Sequence, residues 1–332
     1  MPWEAQAEYL SGLRGVYADP AASERLTLFL LQQGQAPDGG TTCRRYGLFG
    51  SGAGKLSAPW MAIEQAFPGA LPAKAQERGD CVSHSTRNAC LGTLACEIVA
   101  GNADEVTGIL ESVPELSDEA RKDGVLSTES IYWFRAHGGD GWSCDHAAEV
   151  VLKDSGLWLR KNYPGIADLT KYSGRNAGIY GAKSPGQDIR KIGSDHLVRT
   201  ATRARTLEEV RDLLANGYCI SSCGSEAFSN ERDANGFSPR SAATWHHALA
   251  YLGFDDREET KAKYGEPLVM VQNSWGRWNS GSRKVLGTSL EIPEGGFWAK
   301  WSAISGRYAI AFSGVNGWPA QKLPNWGLGE II

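Results

Sequence analysis

Leu268-Val269-Met270-Val271-Gln272-Asn273-Ser274-Trp275-Gly276 is a short apolar run that stops on an amide side chain. Its length and β-branched content read as a strand closed by a turn. Upstream, His247 opens a second run, Ala-Leu-Ala-Tyr-Leu-Gly-Phe254. Far earlier, Cys81 opens a segment with apolar residues at Val82, Ala89, Leu91, Leu94, Ala95, Ile98 and Val99, which reads as a long helix. Gly101-Asn102 reads as the stop of that helix. A thiol, an imidazole and a carboxamide thus stand at the ends of regular elements, in the order nucleophile, base, orienter.

That trio suits thiol chemistry. A thiol is mostly protonated at neutral pH, and a helix N-terminus favours the anion through its unpaired N–H groups and dipole. An imidazole can pair with the thiolate and later hand a proton to a leaving amine. An amide can hold the ring without adding charge. Taken singly, Cys81 reads as a buried inert thiol, His247 as a structural strand residue and Asn273 as a turn residue. Only their joint occurrence points to acyl transfer.

Around these points the organisation is α+β. Residues 22–33 have helical character, Gln35–Thr42 reads as a turn region and Leu48–Ser57 is rich in glycine and serine. Residues 1–70 are expected to form an N-terminal extension. Helices are predicted over Thr128–His137, over about Asp145–Asp154 with Ser143 as N-cap, and from the capping box Thr206-Leu-Glu-Glu209 to near Gly217. Strands are predicted at Tyr218–Ser222, Ala248–Phe254, Leu268–Gln272, Gly296–Trp301 and Tyr308–Phe312. The charged stretch Asp255–Gly265 reads as a solvated loop. Helices in the middle and strands at the end argue two subdomains, not alternating βαβ units.

The bulk numbers exclude several classes. With 42% hydrophobic and 22% charged residues over 332 positions, the chain can bury a full core and is unlike a disordered one. A net charge of -4 gives no electrostatic case for nucleic acid or an anionic membrane. No apolar run approaches a membrane span of roughly 20 residues, and the opening Met-Pro-Trp-Glu-Ala-Gln has no secretion signal. A cytoplasmic or virion-associated location is expected. Of seven cysteines, at positions 43, 81, 90, 96, 144, 219 and 223, most are expected to be reduced thiols. Cys144 and His146 hint at a metal fragment but have no second half, so neither a metal nor another cofactor is expected.

These residues resemble the papain-like cysteine peptidases. Arg78-Gly79-Asp80-Cys81 looks like the nucleophile segment, His247–Phe254 the base motif and Asn273-Ser-Trp-Gly276 the orienting motif, nearly letter for letter. Leu126–Glu129 with Gly138–Trp142 resembles the stretch ending in a glycine-rich substrate loop, and Gly296-Phe-Trp the closing strand. The resemblance runs from about residue 75 to 312. It implies a helical subdomain over about 71–195 and a β-rich one over about 196–332, together a papain-like domain at 71–332, with the cleft between them. It implies Cys81, His247 and Asn273 as catalytic residues, Gln76 as oxyanion donor, Trp275 as a cover over the Asn273–His247 hydrogen bond, and Gly139, Asp140 and Gly141 as groove lining for a protein or peptide substrate.

The chain departs from the family pattern in places. Gln76 lies one residue nearer the nucleophile than usual, Arg78 replaces a cysteine of a common disulfide, and Ser83 and His84 stand where apolar and aromatic residues are normal. His246 neighbours the implied base. The long interrupted helical motif of inhibitory propeptides is not found in residues 1–70. Gly79-Asp-Cys-Val-Ser83 and the ending near Gly317-Trp-Pro319 are similar to papain-like proteins of bacteriophage genomes. The leading expectation is a cysteine endopeptidase. The alternative is a papain-fold structural or interaction protein of a virion, contacting other virion proteins. A cell-wall amidase would also place Cys before His, but the Asn-Ser-Trp-Gly motif argues against it.

Overall fold

A computed structural model describes residues 15–32, 51–99 and 116–313. The expectations at Gln35–Thr42, Gly101-Asn102, Cys43 and Gly317–Pro319 lie outside the described residues. In chain order the main elements are α1 (Pro20–Gln32), β1 (Leu56–Ser57), α2 (Pro59–Ala66), α3 (Cys81–Val99), α4 (Thr128–Trp133), α5 (Cys144–Lys153), β2 (Ala201–Ala204), α6 (Leu207–Ala215), β3 (Ile220–Phe228), β4 (Arg240–Asp255), α7 (Glu258–Tyr264), β5 (Leu268–Gln272), β6 (Gly296–Lys300) and β7 (Tyr308–Phe312). The architecture is α+β: among the described residues, helices predominate before about residue 195 and one antiparallel sheet after it.

That sheet has seven strands in the order β6-β5-β4-β3-β7-β2, with β1 added to β4. Its spine is β4, which pairs with β3 on one side (Gly224↔His247, Cys223↔Ala248) and β5 on the other (Ala250↔Gln272, Tyr251↔Val271). From His247 to Asp255 every residue of β4 is buried, as is all of β5, because α3 packs across β4 and β3. Predicted bounds hold for Leu268–Gln272 and Tyr308–Phe312. β4 runs much further than the sequence pattern suggests.

Helix α3 departs from the expected broad apolar stripe. Every residue from Cys81 to Ile98 is buried, polar ones included. Their hydrogen-bonding groups therefore need partners inside the protein, and the sheet supplies several. Ser85 Oγ donates to Leu249 O at 2.7 Å, Thr93 Oγ1 to Phe312 O at 3.2 Å, and Arg87 Nη1 to Gly124 O at 3.0 Å.

Local signals fix the shorter helices. Ser143 caps α5 by accepting from His146 N, and Thr206 and Glu209 form the capping box of α6. Helix α4 stops at Trp133 instead of His137, because the chain turns at Ala136 with φ 56° and enters the glycine loop. Residues 255–265 are not a solvated loop. Asp255 and Asp256 are buried, Asp255 accepts from Arg257 and Thr260, and α7 follows. Residues Trp60, Ile63 and Phe67, which lie within the first 70, belong to the main core beside α3.

One sulfur pairing carries no signal in the sequence. Cys144 and Cys223 form a disulfide, while Cys81, Cys90, Cys96 and Cys219 are free and buried. Such bonds persist mainly in oxidising compartments; four of the six described cysteines are free, in keeping with the expectation that most are reduced. No helix among the described residues is long and apolar enough to cross a membrane.

Candidate active site

Cys81 is the first residue of α3, with Asp80 immediately before it. The turn that delivers it is tightly held. Gly141 N donates to Gly79 O at 2.9 Å, and Arg78 forms an ion pair with Asp140. The glycine loop therefore buttresses the nucleophile segment from the side. Tyr172 Oη donates to the Asp80 carboxylate at 2.9 Å, and His84, one turn into the helix, has Nε2 3.6 Å from the same carboxylate.

From the sheet, His247 Nε2 lies 2.8 Å from Asn273 Oδ1, which also accepts from Ser274 N at 2.7 Å. The Trp275 ring lies over the imidazole, with centroids 4.7 Å apart and planes at 34°. Trp245 and Trp278 pack against Trp275 and complete an aromatic wall. Asn273 is only 2% exposed, so water competes little for its bond to the ring. His246 is exposed and takes a left-handed backbone conformation, φ 47°, whereas His247 is the buried one bonded to Asn273.

The sulfur meets this strand directly. The backbone N–H of Ala248, next to His247, reaches the Cys81 sulfur. A β-carbon at Gly15 would lie 2.6 Å from that sulfur and 3.1 Å from the His246 carbonyl oxygen. Cys81, His247 and Asn273 are thus gathered at the seam between α3 and the sheet.

Gln76 joins them through the orienting motif. Its backbone N–H donates to Ser274 O at 2.8 Å, its Oε1 accepts from Ser274 Oγ, and its Nε2 donates to Arg78 O at 2.7 Å. Between Gln76 and Cys81 the chain makes a tight turn at Arg78–Asp80, where Asp80 N bonds back to Arg78 O. One N–H of the Gln76 amide is committed to this turn; an amide nitrogen has a second.

Sequence reading misses the cover on the site. Gly15-Val16-Tyr17 runs beside the glycine loop as an isolated parallel bridge, Val16↔Trp142. Trp142 N donates to Gly15 O and Tyr17 N to Trp142 O, each at 3.1 Å. Trp142, not Gly139 or Asp140, offers the backbone edge that pairs. Asp140 is engaged with Arg78, and a β-carbon at Gly139 would meet nothing within 4 Å. Beyond the bridge, α1 is clamped to the body: Arg25 bonds Glu149 at 2.9 Å and Arg203 bonds Ser23 Oγ and Thr27 Oγ1 at 3.0 and 2.9 Å. A cavity of about 590 Å³ remains between this segment and the body, walled by Asp19, Ser143, Cys144, Cys223, His246 and Tyr308. The Cys144–Cys223 disulfide forms part of its wall. His146 Nδ1 accepts from Trp142 Nε1 at 3.0 Å.

Burial sets the protonation of the site. Burial pushes the Cys81 thiol up to about 12, Asp80 adding to the rise and Ala248 N–H opposing it. Burial drives His247 down to about 3, against the raising effect of its Asn273 hydrogen bond. The covered pair is therefore a neutral thiol beside a neutral imidazole.

Among solved structures, two crystal structures of the Amb a 11 cysteine protease, a major ragweed pollen allergen in its proform, share 15% identity with this chain. The match covers 88% of this chain and 74% and 75% of theirs, with a TM-score of 0.47 in each case. The proCathepsin B S9 of Trypanosoma congolense shares 10% identity over 80% of this chain and 78% of its own, with a TM-score of 0.41. No protein-family model and no curated protein matches the chain.

Proposed function

We propose that the chain is a papain-like cysteine peptidase whose nucleophile is Cys81, base His247 and orienter Asn273. The observation that carries the reading is the 2.8 Å His247–Asn273 bond beneath Trp275, with the Cys81 sulfur at the mouth of α3 and the neighbouring His246 carbonyl oxygen lying 2.6 and 3.1 Å from one point, the β-carbon position of Gly15. The three groups are those that thiol-mediated acyl transfer needs, from two different layers of the fold.

The chemistry follows from the geometry once residues 15–17 leave. Solvent and a substrate carbonyl reach the sulfur, the Cys81 proton passes to His247, and the thiolate adds to the carbonyl carbon. The resulting oxyanion lies near the Cys81 backbone N–H, which as a first-turn donor has no intrahelical partner, and near the free N–H of the Gln76 amide. Asn273 Oδ1 holds the imidazolium by its Nε2–H while the opposite nitrogen delivers the proton to the leaving amine. A water, deprotonated by His247, then releases the acyl group from the sulfur. An extended peptide segment would use the Trp142 N–H and C=O that Gly15 and Tyr17 now occupy.

The test is direct. A chain freed of its cover should hydrolyse an unfolded protein such as casein, Cys81→Ala should abolish that hydrolysis, and a thiol-directed epoxide should label Cys81 ahead of Cys90, Cys96 and Cys219. Equal labelling of all four would remove the main support. A second reading, a papain-fold interaction protein such as a virion component, is favoured by the fully covered sulfur and by the Gln76 N–H given to Arg78 O. It requires that the uncovered chain show no Cys81-dependent hydrolysis.

A further inference from the structure

Arg307, just before β7, has a side chain with no exposure, and it lies on the strand pair that carries His247. Its guanidinium occupies a slot that exists because residue 224 is glycine: a β-carbon there would stand 2.7 Å from Arg307 Cγ and 3.0 Å from Cζ. Gly224 is the cross-strand partner of His247. From this slot Arg307 Nη2 donates to the His247 carbonyl oxygen, Nε to Ser222 Oγ at 3.1 Å and Nη1 to Glu226 Oε2 at 3.1 Å. A register shift between Gly224 and Glu226 accompanies the pairing.

A buried guanidinium is expensive even when paired. Strand pairing alone does not need one, since β3 and β4 already bond through their backbones. The charge has a second effect at the site. Arg307 favours the deprotonated form of both Cys81 and His247, while Asp80 acts oppositely on Cys81. The other groups facing the pair are Asn273 from β5, which favours the imidazolium, and His84 from α3, which opposes it. Glu226 is the counter-ion on the far side of Arg307.

We propose that Arg307 is a positioning residue for the thiol–imidazole pair, fixing the His247 backbone through its carbonyl and offsetting the Asp80 carboxylate beside the sulfur with a buried positive charge. The role rests on the peptidase reading above. It also separates the two functions of the residue. The charge sets where the pair titrates, and the forked hydrogen bonds set where the imidazole stands.

The test uses the full chain with its cover opened by Gly15→Val and the pH profile of its reaction with 2,2′-dithiodipyridine, Cys81→Ala in the same background serving to isolate the Cys81 reaction. Arg307→Met should move the midpoint of Cys81 reactivity alkaline by about one unit, a roughly tenfold loss on the acid side. Arg307→Lys, which keeps the charge without the fork, should keep the midpoint and lower the rate. Glu226→Gln leaves Arg307 without its counter-ion at a partly exposed position and should move the midpoint the other way, towards acid. This variant keeps the question answerable if Arg307→Met does not fold. A purely structural arginine lowers the melting temperature and leaves every midpoint in place, which would overturn the proposal, as would a Lys variant shifted as far as Met. If the opened chain reacts alike with and without Cys81→Ala, the peptidase reading itself fails and the Arg307 role falls with it. A Cys81-dependent reaction with unmoved midpoints sinks the Arg307 proposal alone.

Discussion

Gly15 lies against the Cys81 sulfur so closely that a single added carbon would sit 2.6 Å from it. Only glycine permits the segment to lie there, and its backbone is then held by two hydrogen bonds to Trp142. Gly15→Val should force the bridge open. Overpacking of this kind costs roughly 1–3 kcal/mol, so alkylation of Cys81 is expected to speed up about ten- to hundredfold while the melting temperature of the body changes little. Mass-spectrometric labelling, cysteine by cysteine, reads this out. An unchanged Cys81 rate would mean that something other than residues 15–17 guards the sulfur.

Gln76 is held from three sides, by Ser274 O, Ser274 Oγ and Arg78 O. Such fixing is what an oxyanion donor requires, since it must not reorganise as charge develops. In the Gly15→Val background, Gln76→Ala should lower kcat for a peptide substrate by roughly 10²–10³ with little change in KM. Ser274→Ala, which loosens the same amide, should lower it by less. Full activity in Gln76→Ala would leave the Cys81 N–H as the sole donor.

These two sites show what the sequence displays and what it hides. Cys81 and Asn273 are legible because each stands where a local pattern ends, at a helix start and a strand stop, whereas His247, which opens the apolar run in the sequence, lies inside the longer strand β4. The Thr206–Glu209 capping box is legible for the same reason. The cover is not, because the Val16↔Trp142 bridge joins residues far apart in sequence and neither end carries a pattern. The Cys144–Cys223 bond, 79 residues apart, is hidden likewise. Charge misleads at Asp255–Gly265, where the Asp255 carboxylate that suggests solvent is buried on Arg257 and Thr260. Polarity misleads along α3, where Ser85, Thr93 and Arg87 bond to carbonyls inside the protein.

The neutral state of His247 makes stability depend on pH. Its folded pKa, about 3, lies below the unfolded value near 6.5, so the unfolded chain binds the extra proton. The contribution is full above pH 6.5 and is lost as pH falls from there towards 3. Between pH 6.5 and 5 the loss should be about 1.5 kcal/mol. Urea unfolding of wild type and His247→Gln across that range isolates it, because the other carboxylates and histidines are common to both. Parallel curves would show that the imidazole is already charged, or is hydrated, in the covered state.

The Cys144–Cys223 bond joins the start of α5, next to the pairing edge at Trp142, to the β3 residue that faces Ala248 across the sheet. It therefore ties the wall that holds the cover to the wall that carries the base. Closing a loop of 79 residues restricts the unfolded chain by about 4 kcal/mol in the chain-entropy account. The double variant Cys144→Ser, Cys223→Ser should lose stability of that order in urea unfolding and should label faster at Cys81, because α5 and β3 can then part. Dithiothreitol should reproduce both effects in the wild type and neither in the variant. A reductant effect on Cys81 labelling that persists in the variant would place the redox-sensitive contact elsewhere, since the remaining described thiols are buried and free.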